Sequence, residues 1–256
     1  MRQTLVRPRR WAFLAEHRAY RDVAELLLVA LAFLLYFVVR ANVIDRADLA
    51  LSNARQIVDL EKTLGIFREP RLQFAILDQR LLVKLFNFVY FWLDFPLIAI
   101  VGLFMYIRRR RWYTFTRDAI LFTGALALIA YNLFPVAPPR LLPESGLLDT
   151  LQAFSNLSYQ AQSTQFFVNP YAAMPSLHVG WALLLAVGVA CAFPRNRLVL
   201  LLAALHPITQ WSSTVFTGNH YLLDGVGGLL AASCGLAFAV AMQRWGYAAL
   251  RRVVGY

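Results

Sequence analysis

The chain is poor in charge, in cysteine and above all in lysine. Charged residues make up 15% of its 256 positions, against 59% hydrophobic ones. That is well below the quarter or so usual for soluble domains. The two cysteines, Cys191 and Cys234, both fall inside apolar stretches. This argues against a disulfide framework and reads them as buried small hydrophobes. There is no internal repeat, heptad array or low-complexity tract, so solenoids, coiled coils and disordered linkers are excluded. The apolar runs are continuous and do not alternate with polar residues, which excludes a membrane barrel. Lysine occurs twice against 23 arginines, a bias associated with GC-rich bacterial genomes.

What the chain does have is length of apolar sequence. A bilayer core about 30 Å thick takes roughly 20 helical residues per crossing. Six stretches qualify or nearly so: 23–41, 82–107, 118–136, 175–193, 198–217 and 221–242. The expected fold is therefore all-α, a polytopic membrane protein with a six-transmembrane-helix bundle. A basic N-terminus at 1–22 precedes the bundle at 23–242, and a basic tail follows at 243–256. The first apolar core is longer than that of a secretory signal and reads as an uncleaved anchor. A net charge of +11 would suit nucleic acid, but its distribution argues against such a partner. Arg2, Arg7, Arg9, Arg10, Arg18 and Arg21 precede the first span, and Arg108 to Arg111 with Arg117 follow the second. Arg195 and Arg197 follow the fourth, and Arg244, Arg251 and Arg252 the sixth. These alternate loops fall on one side, so the positive-inside rule puts both termini in the cytoplasm of a bacterial plasma membrane. Oligomeric state is not legible, because span packing and dimer packing use the same residues.

Segment 42–80 carries six basic and six acidic residues. Ile57, Leu60, Leu64 and Phe67 recur at helical spacing, with Arg55, Asp59, Glu61 and Lys62 between them. The pattern predicts an amphipathic interfacial helix between spans one and two, ended at Glu69-Pro70. The second span holds Asp94 and Pro96. An acid there reads either as functional or as a partner for the kink, for Lys84 or for another helix. His206, beside Pro207 in the fifth span, reads as a helix-packing hydrogen bond. The outer loop 137–174 contains one basic residue, Arg140, and is longer than ordinary connectors. Pro143, Gly146 and Asn156 punctuate it, and Leu147, Leu148, Leu151 and Phe154 predict one short helix. Such a loop is a lid or acceptor-binding element.

The residues that look like chemistry stand at helix entrances on one side. Pro175, Ser176 and His178 open span four; His220 and Asp224 open span six; Arg140 follows span three. Spans four and six both run inward, so their N-termini present N–H groups and partial positive charge outward, an anion site. His220 and Asp224 are four apart and stack on one helical face. Phosphoryl transfer asks mainly for alignment and charge neutralisation. His220 is the nucleophile, with Asp224 fixing its tautomer. His178 protonates the departing oxygen and later deprotonates the incoming alcohol or water. Arg140 and Ser176 hold phosphoryl oxygens, with Asp94 and Asn219 as accessory candidates. No metal and no cofactor are called for, since no carboxylate cluster is available to bind a metal.

These motifs resemble the type-2 phosphatidic acid phosphatase superfamily. Its motifs end in an arginine, contain P-S-x-H, and close with H-x-x-x-D; here they fall on Arg140, on Pro175 to His178, and on His220 with Asp224. The resemblance covers roughly residues 80–242 and implies a nucleophilic histidine in the last motif and an acid histidine in the middle one. Two cations of the phosphatase pattern are missing: Leu133 stands where it has lysine, and Thr214, after Ser213, where it has arginine. Their loss favours a singly charged phosphodiester. FPVAPPR, AMPSLH and HYLLD are similar to the inositolphosphotransferase branch, which includes inositol phosphorylceramide synthases. The implied activity moves a phospho-headgroup from a phospholipid to a lipid or polyol alcohol. The alternatives are hydrolysis of phosphatidic acid or a polyprenyl (pyro)phosphate, and a lipid-binding or transport protein without turnover.

Overall fold

Every long apolar stretch forms helix, as a segment must when its backbone polar groups find no partners outside it. The computed structural model describes residues 9–43, 45–155 and 169–254. Arg2, Arg7 and Asn156 lie outside the described residues. Helix α1 spans Arg9–Val43, α2 Ala47–Thr63, α3 Glu69–Leu77, α4 Arg80–Trp92, α5 Phe95–Arg108 and α6 Arg110–Leu133. Two 3-10 turns, Pro139–Leu141 and Pro143–Ser145, lead to α7, Thr150–Ser155. Then come α8, Leu177–Ala192, α9, Arg197–Phe216, and α10, Leu222–Ala241. A π turn at Met242–Gly246 joins α10 to α11, Tyr247–Val254. The one β pairing among the described residues is an isolated parallel bridge, Val136 to Ala172.

The chain divides into two units, residues 1–39 and 40–256. In the first, α1 is apolar from Asp22 to Val39, long enough to cross a membrane. In the second, α9 and the run Leu222–Leu250 are also long and apolar enough, and α4 with α5 makes a further span bent by 48°. The expected single stretch 82–107 is thus a broken pair. Asp94 precedes α5 and Pro96 sits in its first turn, where a missing N–H costs nothing. Helix α8 is apolar but only 16 residues long, and α6 carries Arg110, Arg111, Arg117 and Asp118 in its first half.

The second unit is built on α6, α8 and α10, which pack on one another, with α9 against α8 and α4 against α9. Small residues allow this. A Cβ on Gly180 would lie 2.9 Å from the Gly228 carbonyl oxygen, and one on Gly228 would overlap the Ser176 carbonyl. Phe115, Ala119, Leu184, Ala232 and Ala239 form the core between the three helices. A second cluster joins Ala50, Ala54, Ile57 and Val58 of α2 to Val136, Ala137, Ala173 and Tyr221. The buried stripe of α10 passes through Gly228, Ala232, Gly235 and Ala239. Cys234 falls off that stripe and is exposed, not buried as expected; Cys191 is part-buried, and both are free thiols.

The antiparallel helices have two unlike ends. At one, Arg109 lies over the Phe193 ring and Arg117 Nη2 donates to the Tyr247 hydroxyl at 2.7 Å. Arg111 and Arg244 line a cleft there with Trp112, Phe115, Val240 and Gln243. The opposite end gathers α2, α3, the start of the 137–174 loop and the N-termini of α8 and α10. Helix α2 packs one face on this end of the bundle. Ala50, Asn53, Ala54, Ile57, Val58 and Glu61 are buried, whereas Leu60 and Leu64 are exposed. Glu61, read from the sequence as part of the polar face, is fully buried because the start of α10 needs its carboxyl group. Asn87 of α4 pins α7 by donating to the Thr150 carbonyl and to Ser155 Oγ, each at 2.7 Å.

Candidate active site

Three backbone hydrogen bonds lock the three motifs to one another. Ala173 N donates to the Val136 carbonyl at 3.2 Å, across the isolated bridge. Ser176 N donates to the Asp224 carbonyl at 2.9 Å, and Arg140 N to the Gly218 carbonyl at 2.9 Å. Each pair of motifs is therefore joined directly, although up to 84 residues separate Arg140 from Asp224. Gly218 has φ +71°, and a Cβ there would press on the Leu148 carbonyl. The left-handed turn suits glycine on both counts. Tyr131 adds a fourth tie by donating from its hydroxyl to the Pro175 carbonyl at 2.8 Å.

His220 sits in the short connection between α9 and α10, 5% exposed. Its Nδ1–H donates to the Ala173 carbonyl at 2.8 Å, and Asp224 Oδ2 lies 3.4 Å from the same nitrogen. Both acceptors hold the proton on Nδ1 and leave the Nε2 lone pair outward. Asp224 is fully buried, and its Oδ2 also accepts from Tyr221 N at 2.8 Å. The tautomer is thus set by a carbonyl from the middle motif as well as by Asp224. Ala173 carries no signal in the sequence that would have singled it out.

His178, the second residue of α8, presents its ring to His220 with centroids 5.4 Å apart. Its Nε2 lies 3.5 Å from Asp94 Oδ2, and Tyr90 stacks on its other face at 4.3 Å. Neither Asp94 oxygen has a hydrogen-bond donor, and Asp94 makes no side-chain cap on α5. Of the roles open to Asp94 in the sequence, pairing with another helix is the one observed. His206 Nε2–H donates to the Leu93 carbonyl at 2.8 Å. It is the packing hydrogen bond expected, and it ties α9 to the break beside Asp94.

Arg140 is 8% exposed at its side chain. Its Nε faces Asp149 Oδ2 at 3.2 Å and its Nη1 donates to Asn219 Oδ1. Asn219 Nδ2 in turn donates to Thr217 Oγ1 at 2.8 Å. Asp149 is an anionic neighbour that nothing in its local sequence marks. Ser176 is the N-cap residue of α8, and its Oγ is buried without a hydrogen-bond partner. No side chain caps α8.

The start of α10 differs from the expectation of an open anion site. Its first N–H groups are taken by carboxylates: Leu222 N donates to Glu69 Oε1 at 2.8 Å and Leu223 N to Glu61 Oε1 at 2.7 Å. The sequence places both glutamates in the 42–80 segment but gives no sign that they reach this site. Where the phosphatase pattern has cations, Leu133 is 72% exposed and Thr214 is buried, its hydroxyl donating to the Trp211 carbonyl at 2.7 Å.

A family model described as the PAP2 superfamily matches residues 55–238. A phosphoinositol dihydroceramide synthase of Bacteroides thetaiotaomicron is 24% identical over 202 residues, which cover 71% of this chain and 65% of that protein. The chain therefore spans a little under two thirds of that relative's length. No solved structure matches the chain. The matched region takes in Arg140, Ser176, His178, His220, Asp224 and every bond that ties them together, and on that ground the chain belongs to the PAP2 superfamily.

Proposed function

We propose that the chain is an integral membrane enzyme that transfers a phospho-headgroup from a lipid phosphoester to an alcohol, through a covalent intermediate on His220. One observation carries this reading: His220 has its Nδ1 proton committed to Ala173 and Asp224, within ring-contact distance of His178. An imidazole held in that tautomer is an activated nucleophile.

In the first half-reaction His220 Nε2 attacks phosphorus and the P–N bond forms as the ester P–O bond breaks. His178 gives its proton to the leaving oxygen, and Asp94, 3.5 Å away, supports the positive imidazole before that transfer. Asp224 and the Ala173 carbonyl do the same for His220 as it gains charge. In the second half-reaction His178 takes the proton of the acceptor alcohol, whose oxygen attacks phosphorus and releases His220. Ser176 Oγ, the uncapped start of α8 and Arg140 receive the phosphoryl oxygens. Preorganised donors of this kind are worth most where water is excluded. Arg140 is already shared with Asp149, and positions 133 and 214 supply no cation, so the site suits a single negative charge. That favours a phosphodiester over a terminal monoester. The relative named for phosphoinositol and dihydroceramide fits a phosphodiester donor and a lipid alcohol acceptor.

Six crossings, with both termini in the cytoplasm, follow if α6 and α8 also span. The arginine-rich end then faces inward and the histidines open to the outer face. Leu60 and Leu64, exposed on α2, would meet the outer headgroup layer. The test is to incubate purified protein with a labelled phosphodiester lipid, with and without a lipid alcohol, and separately with phosphatidic acid. Acceptor-dependent product from the diester is expected. Free phosphate from the monoester with no acceptor-dependent product would replace transfer by hydrolysis, and turnover that survives His220→Ala would remove the mechanism.

A further inference from the structure

Three consecutive backbone N–H groups open α10, and three carboxyl groups from three elements take them. Tyr221 N donates to Asp224 Oδ2, Leu222 N to Glu69 Oε1 and Leu223 N to Glu61 Oε1, at 2.8, 2.8 and 2.7 Å. Glu61 ends the buried stripe of α2 and Glu69 begins α3; both are fully buried. The turn between them folds back on Glu61 itself, since Ile66 N and Phe67 N both donate to the Glu61 carbonyl. The Oε1 atoms of Glu69 and Glu61 sit on the adjacent N–H groups of Leu222 and Leu223, which makes the two carboxyl groups neighbours. The second oxygen of each, Oε2, is buried and has no donor.

A helix N-terminus offers about half a positive charge. Three carboxylates on one such end, each with one bare oxygen, would leave uncompensated buried charge. The groups that face the pair supply no positive charge: Asp224 is acidic and the Tyr221 hydroxyl is neutral. One proton placed between the two Oε2 atoms lowers that charge by one and gives both of them a partner. One glutamate then donates Oε2–H to the other, and both keep their Oε1 atoms on the helix.

We propose that Glu61 and Glu69 share one proton and act as a brace that seats the first turn of α10, so that they are positioning residues for His220 and Asp224. The inference rests on His220 as nucleophile for its catalytic consequence, but the brace itself is a property of the fold. Burial, with Glu69 alongside, pushes the Glu61 carboxyl up to about 9.

Glutamine separates this from a merely structural acid pair. In Glu61→Gln the amide oxygen still accepts from Leu223 N, and the amide N–H replaces the shared proton toward Glu69. Glu69→Gln does the same in the opposite direction. With both changed, two N–H donors face each other and the bridge is lost. Turnover of the labelled phosphodiester lipid should stay within about threefold of wild type in each single glutamine variant. In the double variant kcat should fall by about tenfold to a hundredfold with KM little changed, as expected for a displaced nucleophile. Glu61→Ala should resemble the double variant. The thermal midpoint in detergent should show the same non-additivity. It reads the brace without reference to turnover, so His220→Ala that remains active would fail the nucleophile and leave the brace to be judged on this measurement. A double glutamine variant no worse than the sum of its singles, or a single glutamine variant as damaged as Glu61→Ala, overturns the proposal.

Discussion

The N-termini of α8 and α10 stand side by side, tied through Ser176 N and the Asp224 carbonyl, yet they are finished in opposite ways. The start of α10 is closed by Asp224, Glu69 and Glu61, so its dipole is spent on the protein's own carboxyl groups. The start of α8 has no side-chain cap, and Ser176 Oγ is buried beside it without a partner. Two helix ends with the same polarity can therefore divide the labour. In the proposed mechanism one holds the nucleophile still, and the other is left to meet an anion. Each also carries a histidine–carboxylate pair. His220–Asp224 is local, but His220 lies in the connection before α10 and not stacked with Asp224 on one helical face as the spacing predicts; His178–Asp94 joins α8 to the break between α4 and α5.

The largest expected effect comes from removing the proposed nucleophile at the closed end. His220→Ala should lower kcat by about 10³-fold or more, and protein quenched in alkaline detergent, which preserves a P–N bond, should no longer retain label from a headgroup-labelled donor. Asp94→Asn tests whether the open end needs its own carboxylate. We expect kcat to drop by about a hundredfold, the lower range for lost acid–base assistance, with KM nearly unchanged. An equal rise in KM would instead make Asp94 a binding group. Ser176→Ala removes a single donor to a charged oxygen, which is worth about 1.5 kcal/mol or roughly tenfold in kcat/KM. No loss in steady-state turnover would mean that the open end is not where the phosphoryl oxygens sit.

Leu133→Lys restores a cation of the phosphatase pattern at an exposed position. Exposed charges act weakly, so the ratio of monoester to diester turnover should rise by no more than about fivefold. The smallest effect is in stability. The Glu61 carboxyl keeps its proton up to about 9 when folded, but releases it near its ordinary 4.5 when unfolded. Between those values the folded state binds more protons, so this contribution to stability is full at low pH and is lost as pH rises through the window. The thermal midpoint in detergent should decline by a few degrees toward pH 9, and Glu61→Gln should flatten that decline.

Much of this is legible in residues taken in order. Continuous apolar runs dictate helices, because buried backbone must satisfy itself, and the helices form where the runs lie. The i, i+4 spacing of His220 and Asp224 and the tripeptide before His178 mark two helix entrances, since local spacing survives folding unchanged. Pro96 marks a kink in its span, but that the kink is a full break with a new helix start is seen only in the fold. What no local pattern could show is which distant group meets which. The Ala173 carbonyl reaches His220 only because Val136 and Ala172 pair, and Asp149 meets Arg140 only through the fold of the outer loop. Glu61 and Glu69 have the composition of a solvated helix face, yet they end up buried, because a helix N-terminus from the far end of the chain supplies donors that water would otherwise provide. The sequence by itself determined the helices, the entrances and the candidate reacting groups. Only the tertiary structure decided which helix end is closed and which is open, because a backbone N–H is identical at every entrance until a partner arrives from elsewhere.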